Sequence, residues 1–287
     1  MTDSMKGKVC IVTGANSGIG RATAVGLAKM GATLIMLCRD NACGVEALND
    51  IISVSGNDSI ELLIADLASQ ASIRQFVKDF KQKYDKLHVL INNAGVNYNR
   101  RNLTVDGLEM TFAVNTLAPF LLTYLLLDLL QSSAPARVIN VASKMQSRKI
   151  EFDNLQGEKH FSFMQSYGQS KTALITLTYE FARRFGDKGV TFNCLHPGGV
   201  NTKIAKNLKG ISGAISRNTM KFFKSPEEGA ETSLYLASSS EVGNFNGKFF
   251  ENKKEIQSKE VTYDESIAKQ LWDACIDLSN SNKEIKQ

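Results

Sequence analysis

The chain alternates short apolar runs with longer amphipathic segments. Runs such as Ile60–Ala65 and Leu87–Ile91 are apolar throughout, which is typical of strands buried on both faces. The segments between them have helical spacing, as in Gly18–Met30 and Ser69–Tyr84. Repeated β-α units predict an α/β fold with a doubly wound parallel sheet and helices on both faces. The other predicted elements are strands Val9–Thr13, Thr33–Leu37, Ala136–Val141 and Val190–Leu195, one near Gly247–Phe250, and a helix Tyr167–Phe185.

No linker, low-complexity tract or internal repeat divides the 287 residues, so we predict one domain over residues 1–287. Residues 201–224 interrupt the alternation of predicted strands and helices, and they follow a strand end, where such sheets bind ligands. They are predicted to form a flap over a substrate pocket, with a plain surface excursion as the alternative. Residues 251–287 contain a charged stretch and then a C-terminal helix, which is expected to pack on the body of the domain. The apolar face of that helix carries Ile267, Leu271, Cys275 and Leu278.

Charge and cysteine content exclude several classes of protein. The net charge of +5 is spread along the chain, whereas a nucleic-acid site needs a dense basic face. The five cysteines form no C-x-x-C pair, and His88, His160 and His196 lie far apart, so no metal site is predicted. An odd number of scattered cysteines predicts reduced thiols and a cytoplasmic protein.

Hydropathy predicts neither a signal peptide nor a transmembrane segment. Met1–Lys8 is polar. The longest apolar stretch, Leu117–Leu130, contains Pro119 and Asp128 and is shorter than a bilayer span. This stretch is predicted to be a buried helix.

A glycine-rich turn separates the first predicted strand from the first predicted helix. Thr13–Gly20 has the spacing G-x-x-x-G-x-G rather than G-x-G-x-x-G. Glycines let the backbone approach a pyrophosphate closely, and the following helix N-terminus offers free N–H groups to it. The turn therefore predicts a dinucleotide site, with a purely structural turn as the alternative. The predicted contacts are Gly14, Ser17, Gly18, Ile19 and Gly20.

The end of the second predicted strand favours NADP. Arg39 lies nineteen residues after Gly20, where an acid binds the ribose 2′-hydroxyl of NAD and an arginine suits the 2′-phosphate of NADP. The neighbouring Asp40 leaves NAD(H) as the alternative, because its carboxylate is also within reach of the ribose.

Tyr167 and Lys171 are four residues apart and lie on one face of a predicted helix. A free phenol has a pKa of about 10, and a nearby ammonium is expected to lower it. Ser143 follows the strand Ala136–Val141, and its hydroxyl is expected to bind the substrate oxygen beside Tyr167. The three side chains predict acid–base catalysis on an alcohol or a carbonyl, with a surface Tyr–Lys pair as the alternative.

These motifs occur in an order that resembles the short-chain dehydrogenase/reductase family over nearly the whole chain. The resemblance implies a single Rossmann-type domain that binds a nicotinamide dinucleotide. The matching segments are Thr13–Gly20, Asp66-Leu67, Asn92–Gly95, Asn115, Ser143, Tyr167 with Lys171, and Pro197-Gly198 with Thr202.

The resemblance also implies a role for each matching residue. Asp66 and Leu67 are expected to contact the adenine, and Lys171 the nicotinamide ribose. Asn115 is expected to hold a water that links Lys171 to solvent, which completes a catalytic set with Ser143 and Tyr167. Plainer roles stay open for the asparagines, at strand ends or at a helix end. The residues expected beside the ribose and the nicotinamide are Asn93, Ala94, Gly95, Pro197, Val200 and Thr202.

Finer features, including His196–Gly198 and Ser225–Glu228, resemble the retinol dehydrogenase-like branch, which generally favours NADP(H). The polar Lys144-Met145-Gln146 departs from that branch and implies a different pocket. The family also implies a homodimer or homotetramer through the helices near Leu117–Leu130 and Tyr167–Phe185, whose apolar faces are alternatively ordinary core.

We therefore predict an NADP(H)-preferring oxidoreductase that interconverts a small-molecule alcohol with an aldehyde or ketone, as an alcohol dehydrogenase or carbonyl reductase does. Tyr167 is its expected general acid or base. A catalytically silent dinucleotide-binding protein is the alternative on the same fold, and the complete set of Ser143, Tyr167 and Lys171 argues against it. An epimerase or dehydratase acting on nucleotide sugars is disfavoured by the glycine spacing.

Overall fold

The structure is built on one sheet of eight strands. A computed structural model describes residues 4–200 and 224–279. The strands are β1 (Val9–Thr13), β2 (Thr33–Cys38), β3 (Ile60–Ile64), β4 (Val89–Asn92), β5 (Ala136–Val141), β6 (Val190–His196), β7 (Lys248–Glu251) and β8 (Lys254–Ile256). Their order is β3-β2-β1-β4-β5-β6-β7-β8, and every neighbouring pair is parallel except β7 with β8. The predicted doubly wound parallel sheet is therefore confirmed.

Helices connect the strands and form two separate layers of core. The helices are α1 (Gly18–Lys29), α2 (Asn41–Ser55), α3 (Gln70–Lys83), α4 (Met110–Phe112), α5 (Ala118–Leu125), α6 (Leu127–Ser132), α7 (Phe163–Phe185), α8 (Pro226–Ser238) and α9 (Glu265–Leu278). Successive strand residues contribute to opposite layers. Ile11 packs with residues of α3, α5 and α7, whereas Cys10 and Val12 pack with residues of α1, α2 and α8.

The predicted strands agree with the structure to within two residues at either end. The helix predicted from Tyr167 begins earlier, at Phe163, because the side chain of Ser162 caps it by accepting a hydrogen bond from the Gln165 N–H. The stretch Leu117–Leu130 is helical and mostly buried, as predicted, but it is divided between two helices. A π-helical turn, Ala113–Leu117, joins α4 to α5, and the helical path is interrupted at Leu126 before α6 begins.

The charged stretch after Phe250 contains the unpredicted strand β8. It forms a short antiparallel hairpin with β7 and lies at the edge of the sheet. Lys254 and Glu255 are exposed there. An edge strand of three residues with charged side chains has no apolar periodicity, so the hydropathy pattern carried no sign of it.

The C-terminal helix packs on the body of the domain, as predicted. Leu271 and Cys275 of α9 are fully buried. The Trp272 ring lies with its centroid 4.9 Å from that of Phe120 in α5 and 4.8 Å from that of Phe181 in α7. These are the two helices that the family resemblance assigns to subunit contacts, so α9 covers part of that face. The oligomeric state stays a prediction.

Two sequence expectations concern the membrane and the thiols. Among the helices of the described residues, none is both long enough and apolar enough to cross a bilayer. The five cysteines all lie within the described ranges, and none of them forms a disulfide there. Four of the five are buried.

Candidate active site

A cleft of about 830 Å³ opens where β1 to β6 end. It includes the point between β1 and β4 at which the strand order reverses, the usual ligand site of such sheets. Its volume lies in the range of small-molecule pockets. Every predicted site residue within the described ranges lines the cleft except Asn115. Thr202 lies outside those ranges, and so does the predicted flap apart from Lys224.

The start of α1 points into this cleft without a capping side chain. Ser17 occupies the cap position but makes no capping hydrogen bond within the described chain, and the first turn contains no acid. By contrast, α2, α3 and α7 each begin with a side chain that accepts a backbone N–H. The uncapped N–H groups and partial positive charge of α1 fit the phosphates of a dinucleotide.

The glycine turn packs tightly against the loop that follows β4. A Cβ on Gly20 would lie 2.2 Å from the Gly14 carbonyl oxygen and 2.4 Å from Asn93 Nδ2. Asn93 Nδ2 donates to the Thr13 carbonyl at 2.8 Å, and Thr13 Oγ1 accepts from the N–H groups of Asn93 and Ala94, each at 2.9 Å. Asn93 therefore has the plainer role of satisfying a strand end, and only glycine fits at position 20 without a shift.

Arg39 and Asp40 differ in what their side chains do. Arg39 is exposed and lines the cleft after β2. Asp40 caps α2, because its Oδ1 accepts from the Cys43 N–H at 2.8 Å. Hydrogen bonding with Cys43 holds the pKa of Asp40 below its ordinary value. The carboxylate that left NAD as an alternative is therefore engaged at a helix end.

Asp66 and Leu67 line the cleft after β3. Asp66 Oδ1 accepts from the Ala68 N–H at 2.9 Å, and the Asp66 N–H donates to Ser72 Oγ at 3.0 Å. These bonds fix the backbone at the end of β3, at the side of the cleft that the resemblance assigns to the adenine.

Ser143, Tyr167 and Lys171 meet at the other end of the cleft. The Ser143 hydroxyl lies close enough to the Tyr167 phenol to act on it and to lower its pKa. Lys171 Nζ lies 5.8 Å from the centroid of the Tyr167 ring and donates to the Val141 carbonyl at 2.8 Å. Ser143 and Lys171 are buried, with 8% and 3% of their surface exposed. The three groups thus form one cluster in the cleft that also contains the glycine turn.

Burial sets the protonation of this cluster. It raises the pKa of Tyr167, and the nearby Ser143 hydroxyl offsets only part of that rise. It also lowers the pKa of Lys171 to about 8. The expectation that Lys171 lowers the pKa of Tyr167 is therefore wrong for this geometry, since the ammonium donates to the Val141 carbonyl and desolvation of the phenol dominates. At neutral pH the phenol is protonated and the ammonium is charged.

Asn115 lies behind the cleft wall, in the π-helical turn, rather than at a helix end. Its side-chain amide pairs with the Val96 backbone, accepting from the N–H at 2.8 Å and donating to the carbonyl at 2.9 Å. It also donates to Ser170 Oγ at 3.1 Å. Asn115 therefore ties the loop after β4 to α7. The predicted link through a water to Lys171 stays a prediction.

An apolar wall of the cleft was missed by the sequence reasoning. Met110, Val114, Met145 and Phe163 line it together with Tyr167. Helical spacing carried a signal for three of them, because Phe163 is four residues before Tyr167 and Met110 is four before Val114. Because the helix was predicted to begin only at Tyr167, Phe163 was not recognised as a helical residue on the same face.

Lys144 and Gln146, the polar residues after Ser143, do not line the cleft, so their departure from the family pattern does not change its wall directly. Lys144 forms an ion pair with Glu251. Gln146 Oε1 accepts from the Lys259 N–H at 2.8 Å. Only Met145 of the three faces the cleft. Their polarity reflects contacts with the C-terminal part of the chain.

Comparison with known proteins agrees with this geometry. The family model described as short chain dehydrogenase matches residues 8–210. Retinol dehydrogenase 14 of Homo sapiens is 43% identical, over 94% of this chain and 85% of that protein. Polyprenol dehydrogenase of Homo sapiens is 39% identical, over 95% of this chain and 85% of that protein.

Solved structures give the same result for the fold. An uncharacterized protein from Mycobacterium paratuberculosis has a TM-score of 0.79 and 28% identity, over 97% of this chain and 96% of that one. Pseudomonas aeruginosa RhlG, in an NADP active-site complex, has a TM-score of 0.71 and 25% identity, over 90% of this chain and 98% of that one. Both likenesses extend over almost the whole sheet and its helices.

Proposed function

Because this chain belongs to the short-chain dehydrogenase family, we propose that it is an NADP(H)-preferring oxidoreductase that interconverts an alcohol with an aldehyde or ketone. Tyr167 acts as the general acid or base. The observation that carries the proposal is the cluster of Ser143, Tyr167 and Lys171 in one cleft with the glycine turn. Residues 1–287 act as one domain, since all described strands belong to a single sheet.

The residues of the cleft fit a nicotinamide dinucleotide. The uncapped N–H groups at the start of α1 would donate hydrogen bonds to the pyrophosphate. Because Gly14 and Gly20 have no side chains, the pyrophosphate can come close to the backbone there. Asp66 and Leu67 contact the adenine, and Lys171 the nicotinamide ribose. When bound, the nicotinamide supplies the hydride that the carbonyl carbon gains in reduction.

The preference for NADP rests on Arg39. Its guanidinium is exposed at the edge of the cleft and suits a phosphate through charge-assisted hydrogen bonds. Asp40 does little to favour NAD, because its carboxylate caps α2 and is not directed at the ribose 2′-hydroxyl. The NADP complex of the similar RhlG structure supports the same cofactor.

The carbonyl end of the cleft supplies the proton. Ser143 donates a hydrogen bond to the carbonyl oxygen, and Tyr167 gives that oxygen its proton while the carbon gains a hydride. The raised pKa of Tyr167 keeps the phenol protonated at neutral pH, so it has a proton to give to a carbonyl oxygen. Lys171 is held beside Tyr167 by its hydrogen bond to the Val141 carbonyl, in position to bind the nicotinamide ribose. Oxidation of an alcohol uses the same groups in reverse.

The apolar wall indicates the class of substrate. Met110, Val114, Met145 and Phe163 are apolar side chains that line the same cleft as Tyr167. Two relatives are named for retinol and for polyprenol, which are apolar alcohols. We therefore assign an apolar alcohol or aldehyde, and not a sugar or an acid, to the carbonyl end of the cleft.

Turnover with purified protein tests the proposal. The full chain is mixed with NADPH or NADH and a panel that contains retinal, an unsaturated prenyl aldehyde and a short hydroxylated aldehyde, and loss of the reduced nicotinamide absorbance is followed. We expect turnover with the apolar aldehydes and a higher kcat/KM with NADPH. The Tyr167→Phe protein is the control for background loss. Tight dinucleotide binding without turnover of any aldehyde would instead favour the silent binding protein.

A further inference from the structure

One glutamine connects Ser143 to a distant part of the chain. Gln146 Nε2 donates to the Ser143 carbonyl at 3.1 Å, which closes a tight turn after β5. At its other end, Gln146 Oε1 accepts from the Lys259 N–H at 2.8 Å, and these two residues are 113 positions apart. The Gln146 amide therefore bridges the Ser143 backbone and the segment that follows β8.

The turn that Gln146 closes also directs the Ser143 hydroxyl. Ser143 Oγ accepts from the Met145 N–H at 3.0 Å. A hydroxyl whose lone pair is engaged in this way keeps its own proton to donate. That proton is the one which the proposed function directs at the carbonyl oxygen.

The far end of the bridge is anchored on α7, the helix that carries Tyr167. Tyr179 of α7 lies with its hydroxyl 2.9 Å from Ser258 Oγ, and its ring stacks on Tyr263 with centroids 5.2 Å apart. Thr262 is fully buried, and its hydroxyl is 2.6 Å from that of Ser258. Residues 258–263, which we call the C-terminal support, are therefore fixed to the same helix as the proton donor.

We propose that Gln146 is a positioning residue for Ser143, and that the C-terminal support sets its position relative to Tyr167. The proposal rests on the proposed function, in which Ser143 binds the carbonyl oxygen. A reacting group displaced by about 1 Å costs about 10²-fold in rate, so loss of this bridge has a kinetic effect even when the fold is intact.

A double-mutant cycle tests the proposal in the full-length protein. Gln146→Ala, Ser143→Ala and the double variant are compared by kcat, KM and dinucleotide Kd. We expect Gln146→Ala to lower kcat about tenfold, within the range for a misplaced group, and to leave the Kd near the parent value. In the Ser143→Ala background the same change should have almost no further effect on kcat, because the group that it positions is gone.

The outcomes separate the two proposals. An equal loss of kcat from Gln146→Ala in both backgrounds means that Gln146 does not act through Ser143, and overturns the inference. Parent-like turnover of Ser143→Ala overturns the proposed function at that residue, whatever Gln146→Ala does.

A second variant reaches the bridge from its far end. Lys259 has a φ of −67°, close to that of proline, so Lys259→Pro removes the N–H donor with little change of backbone. We expect the same loss of kcat as for Gln146→Ala, and parent-like kcat in Lys259→Pro contradicts the role of the C-terminal support. The control is Lys144→Met, because Lys144 does not line the cleft and its ion pair with the partly buried Glu251 is expected to contribute little, so kcat and Kd should stay near the parent values. Thermal unfolding of each variant confirms that it folds.

Discussion

The two ends of the cleft hold their side chains by contacts of different range along the chain. At the dinucleotide end, the glycine turn, Arg39 and Asp66 each come just after a strand, and the longer-range contacts of the turn run to Asn93 at the neighbouring end of β4. At the carbonyl end, Ser143 depends on Gln146, which depends on Lys259 far along the chain. The difference implies that dinucleotide binding and turnover are separable by mutation. Four predictions test that separation.

The largest effect is expected from Tyr167→Phe, at the carbonyl end. Loss of the phenol proton should lower kcat by about 10²–10⁴-fold, the usual contribution of a positioned acid or base. Dinucleotide Kd should stay near the parent value, because the hydroxyl and not the ring is removed. Steady-state rates and a fluorescence titration with NADPH measure the two quantities. Turnover close to that of the parent would show that another group transfers the proton.

Lys171→Met should show how much the buried charge at the carbonyl end lowers the free energy of unfolding. The folded pKa of about 8 lies below the ordinary 10.5, so the unfolded chain binds more protons between these values and the parent gains stability as pH rises through them. Below pH 8 desolvation of the charged ammonium destabilises the parent relative to the variant, and the hydrogen bond to the Val141 carbonyl, which the variant loses, offsets part of this difference.

That difference in the free energy of unfolding should shrink as pH rises from about 8 to 10.5. Urea unfolding of both proteins across this range measures it. A difference that does not change with pH contradicts a lowered pKa for Lys171. The variant should also lose turnover, which keeps the stability and activity effects distinguishable.

Gly20→Ala should impair dinucleotide binding rather than the carbonyl end. The new Cβ would lie 2.2 Å from the Gly14 carbonyl oxygen, so the turn must shift. A shifted turn no longer presents the N–H groups of α1 to the pyrophosphate, so the Kd for NADPH should rise by about a hundredfold or more, which is about 2.7 kcal/mol. Gly56→Ala is the control. Gly56 has a positive φ of +67°, so alanine is strained there, but this residue ends α2 away from the cleft and has open space around its Cβ in the described structure. Equal Kd values for Gly20→Ala and the parent contradict the pyrophosphate site.

The smallest effect is expected from Arg39→Asp, which changes the preference between the two dinucleotides but leaves the rest of their binding site intact. Loss of a charge-assisted hydrogen bond, worth about 1.5–3 kcal/mol, should weaken the binding of NADPH by about tenfold or more relative to that of NADH. Asp40→Ala is the matched control. It removes the cap of α2 and should lower stability by about 1 kcal/mol while the preference for NADPH persists. An Arg39→Asp protein with the parent preference shows that Arg39 does not contact the phosphate.

The dinucleotide end was predictable because its signals are local. Strands buried on both faces produce continuous apolar runs, and the turn after β1 needs glycine where a Cβ would meet Gly14 and Asn93. The pairing of Tyr167 with Lys171 was predictable for the same reason, since four residues span one turn of α7.

The rest of the carbonyl end was not predictable from local pattern. A hydrogen bond between Gln146 and Lys259 has no signature in either stretch, and β8 is a short charged edge. The pKa of Tyr167 was expected to fall, because a neighbouring lysine is visible in the sequence and the degree of burial is not. Long-range packing determines each of these features.

The C-terminal support also has a consequence for protein synthesis. A chain leaves the ribosome from its N-terminus, so Lys259 emerges long after Gln146, and the dinucleotide end is translated in full well before the carbonyl end receives its brace. A nascent or prematurely stopped chain that ends before Lys259 lacks this brace. Such a chain also lacks α9, whose Leu271 and Cys275 are fully buried in the core, so a late nonsense mutation is expected to cost the stability of the fold as well as turnover.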